Sequence, residues 1–439
     1  MRFSLPPQQS LKYPLSPLLR GGRVYEYLKT GDPAIYRIMR RELARQREGA
    51  EMIPSENLVS VPVLEALGSV FTNKYSEGYP GKRYYGGNEF IDEAELLAIE
   101  RAKVLFGAEH VNVQPLSGSP ANMAVFFALM ERGDKLMGLK LDQGGHLTHG
   151  HSVNFSGKYY TVVPYEVDKE TETLDYDAIE ALALKERPKI LLAGFTAYPR
   201  DIDWKRFREI ADKCGAYLMA DISHTAGLIA GKALANPVPY CDVVTTTTHK
   251  TLRGPRGAMI MCKEPLAKII DKAVFPGLQG GPHENVIAAK AVAFGEATKP
   301  EFQAYAKQVI ANAQALAETL KQRGLRLVSG GTDTHLILAD VRPFGINGKQ
   351  AETALDKAGI YCNKNTIPND PEKPFIGSGI RMGTPTLTTR GMKEAEMGII
   401  GNKIIDALEH HDDDAYLTNM RKEILSLCAK FPIYPELQL

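Results

Sequence analysis

Val243-Val244-Thr245-Thr246-Thr247-Thr248-His249-Lys250 runs into Thr251-Leu252-Arg253-Gly254-Pro255-Arg256-Gly257. Six consecutive β-branched residues favour an extended strand, because a branched Cβ packs well on a pleated surface. The Gly- and Pro-containing tail ends that strand in a turn. One amine is thus delivered to a strand's carboxyl end. Lysine held and desolvated there suits nucleophilic attack on a carbonyl. A solvated lysine at a strand end is the alternative, and the rest of the chain decides between them.

Outward from this segment, strand and helix patterns alternate from about residue 92. Leu96, Ile99, Ala102 and Phe106 mark a helical face closed by Gly107. A short strand follows at 110–113, then Ser117-Gly118-Ser119-Pro120 and an apolar helical stretch over 121–130. Further strands are expected at 189–193, 216–220, 243–248 and 258–262. Between two of them lies a helix with Trp204, Phe207, Ile210 and Cys214 on its apolar face, capped by Gly215. Such alternation predicts an α/β fold with a mainly parallel sheet, whose ligands collect at the strands' carboxyl ends. A long helix with Phe302, Tyr305, Val309, Ala313, Leu316 and Leu320 inward ends at Gly324, and a smaller α+β unit follows. The boundaries expected are a disordered, proline-rich tail at 1–22, an arm at 23–70, a large domain at 71–300 and a small one at 301–439.

Asp221 directly follows the apolar stretch 216–220, so it and Lys250 end strands of one sheet. A carboxylate there could keep the pyridine nitrogen of pyridoxal phosphate protonated; a helix N-cap is the plain alternative. His224 could bond the cofactor's phenolic oxygen or fill a loop. Ser117-Gly118-Ser119 offers hydroxyls, an unhindered backbone and a helix start, which together make a phosphate cradle, although serine also caps many helices. Arg381, among small residues in 378–384, has the planar guanidinium suited to a carboxylate. Residues 73–87 hold four tyrosines, four glycines and Glu77, a composition that makes a shaped loop presenting phenols and a carboxylate.

Charge is balanced, 53 basic against 52 acidic residues, which gives no electrostatic footprint for nucleic acid or a membrane surface. The five cysteines contain no Cys-x-x-Cys pair, which argues for reduced thiols in a cytoplasmic setting and against a metal site.

Taken together, seven segments resemble the serine hydroxymethyltransferase family: 53–57, 73–87, 114–122, 144–150, 243–257, 279–282 and 378–384. The resemblance implies a fold-type-I pyridoxal-phosphate transferase, with a seven-stranded type of sheet in its large domain. It implies covalent attachment of the cofactor at Lys250, with His249 and Thr247 beside it and Tyr75, Gly280 and Gly281 reaching the phosphate from a neighbouring subunit. Ser117, Gly118 and Ser119 would hold that phosphate, Asp221 the ring nitrogen and Thr196 the ring oxygen, with His146 against the ring face. Ser55, His224, Tyr85 and Arg381 would orient serine or glycine, while Glu77, with Tyr84 and Tyr85, would handle protons. For tetrahydrofolate, the co-substrate, the implied set is Glu77, Tyr84, Leu141, Gly145, His146, Leu147, Asn365, Lys373, Pro374 and Phe375. Pro54, Thr196, Asp142-Gln143, Ser223 and Thr225 depart from the family's usual residues and remove no catalytic group.

The implied reaction moves serine's hydroxymethyl carbon to tetrahydrofolate, in a homodimer with shared sites. A β-hydroxy amino acid aldolase, an α-methylserine transferase, an aminotransferase on the same fold and an idle homologue are the alternatives.

Overall fold

The computed structural model describes residues 25–437. The expected disordered tail at 1–22 lies outside the described residues. Residues 25–47 and 432–437 belong to one unit, and 48–431 form the other. In the first, helix α1 (Glu26–Gly31) leads into α2 (Pro33–Glu48), and Arg47 donates to the carbonyls of Ile433, Tyr434 and Leu437.

The second unit is built on seven strands: β1 (His110–Asn112), β2 (Lys135–Leu139), β3 (Thr161–Tyr165), β4 (Ile190–Gly194), β5 (Tyr217–Asp221), β6 (Val243–Thr247) and β7 (Ala258–Cys262). Their order is β1-β7-β6-β5-β4-β2-β3. Strands β2 to β6 are parallel, as alternation with helices predicts. Strand β7 runs antiparallel to both β6 and β1. Its short connection explains this, since a parallel neighbour needs a crossover of a dozen or more residues. All carboxyl ends except that of β7 therefore meet along one edge.

Helix α3 (Glu89–Phe106) buries Ile91, Glu95, Ala98, Ala102 and Phe106, so the expected face is rotated and Leu96 is exposed. Helix α4 (Gly118–Leu129) begins earlier than the expected 121 and takes in Pro120 as its third residue. Helix α5 (Trp204–Cys214) buries the four apolar residues named for it, and Gly215 takes the left-handed conformation that ends it. Helices α6 (Glu284–Ala297) and α7 (Pro300–Gln322) follow, the latter burying all six residues expected inward.

From α6, Lys290 enters the sheet's edge fully buried. Its ammonium donates to the carbonyls of Val113 (2.6 Å), Pro115 (3.1 Å) and Ala258 (2.8 Å). Burial pulls its pKa down to about 7.

Beyond α7 an antiparallel sheet forms from β8 (Arg326–Leu327), β9 (Leu336–Asp340), β10 (Asn363–Asn365) and β11 (Gly379–Gly383), ordered β8-β9-β11-β10. Helices α8 (Gly348–Lys357), α9 (Glu394–Glu409) and α10 (Asp414–Ala429) share its core, which joins Leu316 and Leu320 of α7 to Ile337, Ile380, Leu355, Ile404 and Ile424.

Candidate active site

Five strand ends deliver the site. Ser117 follows β1, His146 follows β2, Thr196 follows β4, Asp221 ends β5, and Thr247 ends β6 three residues before Lys250. They line one cavity of about 340 Å³, together with Ser55, Gly118, Ser119, Ser223, His224, His249, Arg256 and Arg381.

Lys250 stands on a backbone locked from several sides. Asn57 Nδ2 donates to the Lys250 carbonyl at 3.0 Å, and Thr251 Oγ1 donates to the His224 carbonyl at 2.8 Å. Thr251 Oγ1 also accepts from Gly227 N, and a Cβ on Gly227 would fall 2.0 Å from the Thr251 carbonyl. Only glycine fits so close a passage. Desolvation, only partly offset by Asp221, brings the amine down to about 8, with Arg381 and Arg256 adding to the fall. That is the range in which an amine is both available and nucleophilic. Neighbouring His249 is lowered to about 3, by burial first and then by Lys250.

Asp221 is fixed by three donors: Asn122 Nδ2 at 2.9 Å, His149 Nε2 at 3.1 Å and Ser223 N at 3.1 Å. Asn122 is itself oriented, since Thr245 Oγ1 donates to its oxygen and its nitrogen also donates to Thr148 Oγ1. Burial pushes the Asp221 carboxyl up, but the hydrogen bonds it accepts from His149 and Asn122 hold it far below the usual carboxylate range. It stays ionised in the depth of the cavity. His146 accepts from Thr148 N on Nδ1, which leaves Nε2 as its N–H, and burial lowers it to about 4.

At the other end, Ser117 precedes α4 without capping it, so its hydroxyl is free for a ligand. The adjoining turn is tight, because a Cβ on Gly118 would sit 2.9 Å from Thr247 Cγ2. Gln279 braces the approach, accepting from Leu116 N and donating to the Gln114 carbonyl. Arg381 enters from β11 of the small sheet. It is 8% exposed and donates through Nε to Asn363 Oδ1 (3.0 Å) and through Nη1 to the Thr196 carbonyl (2.7 Å). No carboxylate pairs with it among the described residues, and burial lowers it to about 10. These residues fit pyridoxal phosphate: free hydroxyls and amides for phosphate, an ionised carboxylate for a pyridinium, and an available amine.

Several expected site residues lie elsewhere. Glu77 Oε1 accepts from Tyr75 OH (3.3 Å) and Oε2 from Tyr85 OH (3.5 Å), with Gly280 and Gly281 packed against them. Tyr75, Tyr84 and Tyr85 are exposed, and none of this cluster lines the cavity of the same chain. Beneath it Ser76 meets Glu284, and Arg83 pairs with Asp92 (2.8 Å) and Glu95 (2.6 Å). Leu141, Gly145, Leu147, Asn365, Lys373, Pro374 and Phe375 also stand outside that lining. Conversely, sequence reasoning assigned no role to His149, Asn122 or Arg256. A histidine three residues after His146 was the available signal for the first.

A strand-end lysine, with a carboxylate ending the adjacent parallel strand, defines the fold-type-I pyridoxal-phosphate enzymes. The family model for serine hydroxymethyltransferase matches residues 28–404. Proteins named serine hydroxymethyltransferase from Nostoc (57% identical, covering 94% of this chain and 97% of theirs), Legionella pneumophila (58%, 93% and 98%) and Microcystis aeruginosa (58%, 94% and 97%) are similar throughout. The chain belongs to the serine hydroxymethyltransferase family, whose enzymes depend on pyridoxal phosphate and use tetrahydrofolate as co-substrate.

Proposed function

We propose that this chain reversibly transfers the hydroxymethyl carbon of serine to tetrahydrofolate, giving glycine and 5,10-methylenetetrahydrofolate. Arg381 carries the reading within the structure: a buried guanidinium without an acid beside it is costly unless an anion completes it. The α-carboxylate of an amino acid supplies that anion, with Ser55 and His224 as further contacts. Pyridoxal phosphate, attached at Lys250, supplies an electron sink for the bond broken at the amino acid's Cα. Asp221 would keep a proton on the pyridine nitrogen, His146 would lie against the ring and Thr196 would meet its oxygen. Ser117, Gly118 and Ser119 hold the phosphate, and Thr247 and His249 shape the wall around the amine.

Proton handling at the substrate hydroxyl falls to Glu77, with Tyr84 and Tyr85 near it. Because the Glu77 cluster does not line its own chain's cavity, the reading takes it to serve a second copy, with Tyr75, Gly280 and Gly281 reaching that copy's phosphate. A homodimer with two shared sites follows. Leu141, Gly145, Leu147, Asn365 and the 373–375 stretch form the proposed folate contacts. Residues 23–70 are the proposed arm, 71–300 the large domain and 301–439 the small one. The proposed location is the cytoplasm, which the five unpaired cysteines support.

The deciding experiment is serine cleavage with and without tetrahydrofolate, followed alongside the visible absorbance with glycine. Formation of methylenetetrahydrofolate, with a red-shifted band strengthened only when folate joins glycine, is the expected outcome. Cleavage indifferent to folate would replace this reading with an aldolase.

A further inference from the structure

Ser76 stands between Tyr75 and Glu77, and Glu284 is the first residue of α6. Both side chains are fully buried, and they meet: the Ser76 hydroxyl donates to Glu284 Oε1. Glu284 Oε2 makes no hydrogen bond, and Arg83 Nη1 lies 4.0 Å from Oε1. Burial pushes this carboxyl up to about 7, against the pull of Ser76 and Arg83. A buried acid so sparsely bonded is a poor source of stability. What it does fix is the place of Ser76.

The contact joins two segments 208 residues apart, both reaching the Glu77 cluster. A Cβ on Gly281 would lie 3.4 Å from Tyr75 Cζ, and one on Gly280 would lie 3.1 Å from Glu77 Oε1. Arg83 Nη1 donates to the carbonyls of Ser76 and Gly78, at 2.9 Å each. Gln114 Nε2 donates to the same Gly78 carbonyl at 3.0 Å, and Tyr84 N to the Glu77 carbonyl at 3.0 Å. Tyr75 is exposed and Glu77 half-buried, so the chain anchors at Ser76 and presents its two neighbours outward. The Glu77 carboxylate itself is held by long bonds from exposed phenols. Its position therefore depends on the buried anchor one residue away.

We propose that Glu284 is a positioning residue: through Ser76 it sets the place from which Glu77 reaches the cavity of a neighbouring copy. This rests on the reading of Glu77 and the shared site given above. Glu284→Leu removes the acceptor at similar volume. In the cofactor-free protein, exchange of the backbone amides over 75–83 is expected to quicken as Ser76 loses its anchor. In the holoenzyme kcat should fall about tenfold with serine KM nearly unchanged, because a displaced proton-handling group costs rate rather than binding. Glu284→Gln keeps an oxygen for the Ser76 hydroxyl and restores most of both.

Mixed dimers show where Glu284 acts. When Glu284→Leu chains reassort with Lys250→Ala chains, the working Lys250 of each hybrid faces a loop anchored by an intact Glu284. About a quarter of wild-type activity is then expected, against about a twentieth if Glu284 served its own chain's cavity. Glu77→Gln chains, mixed in the same way, report on the shared site alone. Recovery with Glu77→Gln but not with Glu284→Leu overturns the proposal and leaves the shared site standing. Recovery with neither removes the shared site, and the proposal with it. Exchange and kcat unchanged in Glu284→Leu also overturn it. Should that variant fail to fold, Ser76→Ala, which removes the donor instead, takes its place throughout.

Discussion

His149 Nε2 lies 3.1 Å from Asp221 Oδ2, and His149 Nδ1 accepts from the His146 backbone N–H at 3.3 Å. The two bonds assign the tautomer, since a carboxylate can only accept. His149 therefore holds Asp221 from within the wall of the same cavity. Asp221→Asn keeps the shape but removes the charge that would stabilise a pyridinium. Turnover is expected to fall on the order of a hundred- to a thousandfold, with the cradle still binding phosphate. Steady-state kinetics with saturating cofactor checks this.

The same carboxyl predicts an acid limb in stability. Its folded pKa is depressed below the unfolded value of about 3.9. Its contribution is therefore fully present above that value and is lost as pH falls toward the folded pKa, where the unfolded chain binds the proton first. Denaturant titrations between pH 5 and 3 should show a weaker dependence on pH in Asp221→Asn than in the wild type.

Lys250 has the opposite sign. Its amine is lowered to about 8 from an ordinary 10.5, so folding pays to keep it charged below pH 8. That cost fades as pH rises between the two values, because the folded state has by then given up the proton. Lys250→Met is expected to raise Tm of the cofactor-free protein at pH 7, and the gain should shrink toward pH 10.5. The same variant should lose covalent cofactor and turnover; normal turnover would refute the assignment of Lys250.

Arg381→Lys tests the anion reading. An ammonium cannot reproduce the forked grip or the two bonds to Asn363 and Thr196. Serine KM should rise about a hundredfold, in line with the ~2–5 kcal/mol typical of breaking a buried charged contact, while cofactor absorbance is retained. Titrating serine against the two proteins measures it.

Mixed dimers test the shared site. Lys250→Ala and Glu77→Gln chains should each be nearly inactive alone. After random reassortment, half of the dimers are hybrids with one intact site of two, so about a quarter of wild-type activity should return. No recovery would place Glu77 in its own chain's chemistry or outside it altogether.

Much of this was legible because the local signals agree. The run at 243–248 reads as a strand in any context, and Trp204, Phe207, Ile210 and Cys214 lie at helical spacing. Strands β2 and β3 gave no such signal. Lys135–Leu139 carries Leu and Met around Gly138, whose missing side chain lets the His149 carbonyl approach, and Thr161–Tyr165 contains Pro164. Proline in a strand marks an edge, and β3 is the outermost strand. The antiparallel turn of β7 was implicit in a connection too short for a crossover. The Asp221–His149 and Ser76–Glu284 contacts were not legible, since 72 and 208 residues separate their partners and only packing joins them. Arg381 was visible as a residue type, but its burial without a counter-ion required the structure.

Lys290 shares its buried ammonium among three carbonyls, two of them just ahead of Ser117. A strut of that kind keeps the approach to Ser117 in place whether or not a phosphate has arrived. The protein therefore meets its cofactor with a receptor already shaped, and little conformational freedom remains to be surrendered on binding. Capture from dilute solution becomes a property of the scaffold's interior, set by a residue that never touches the ligand.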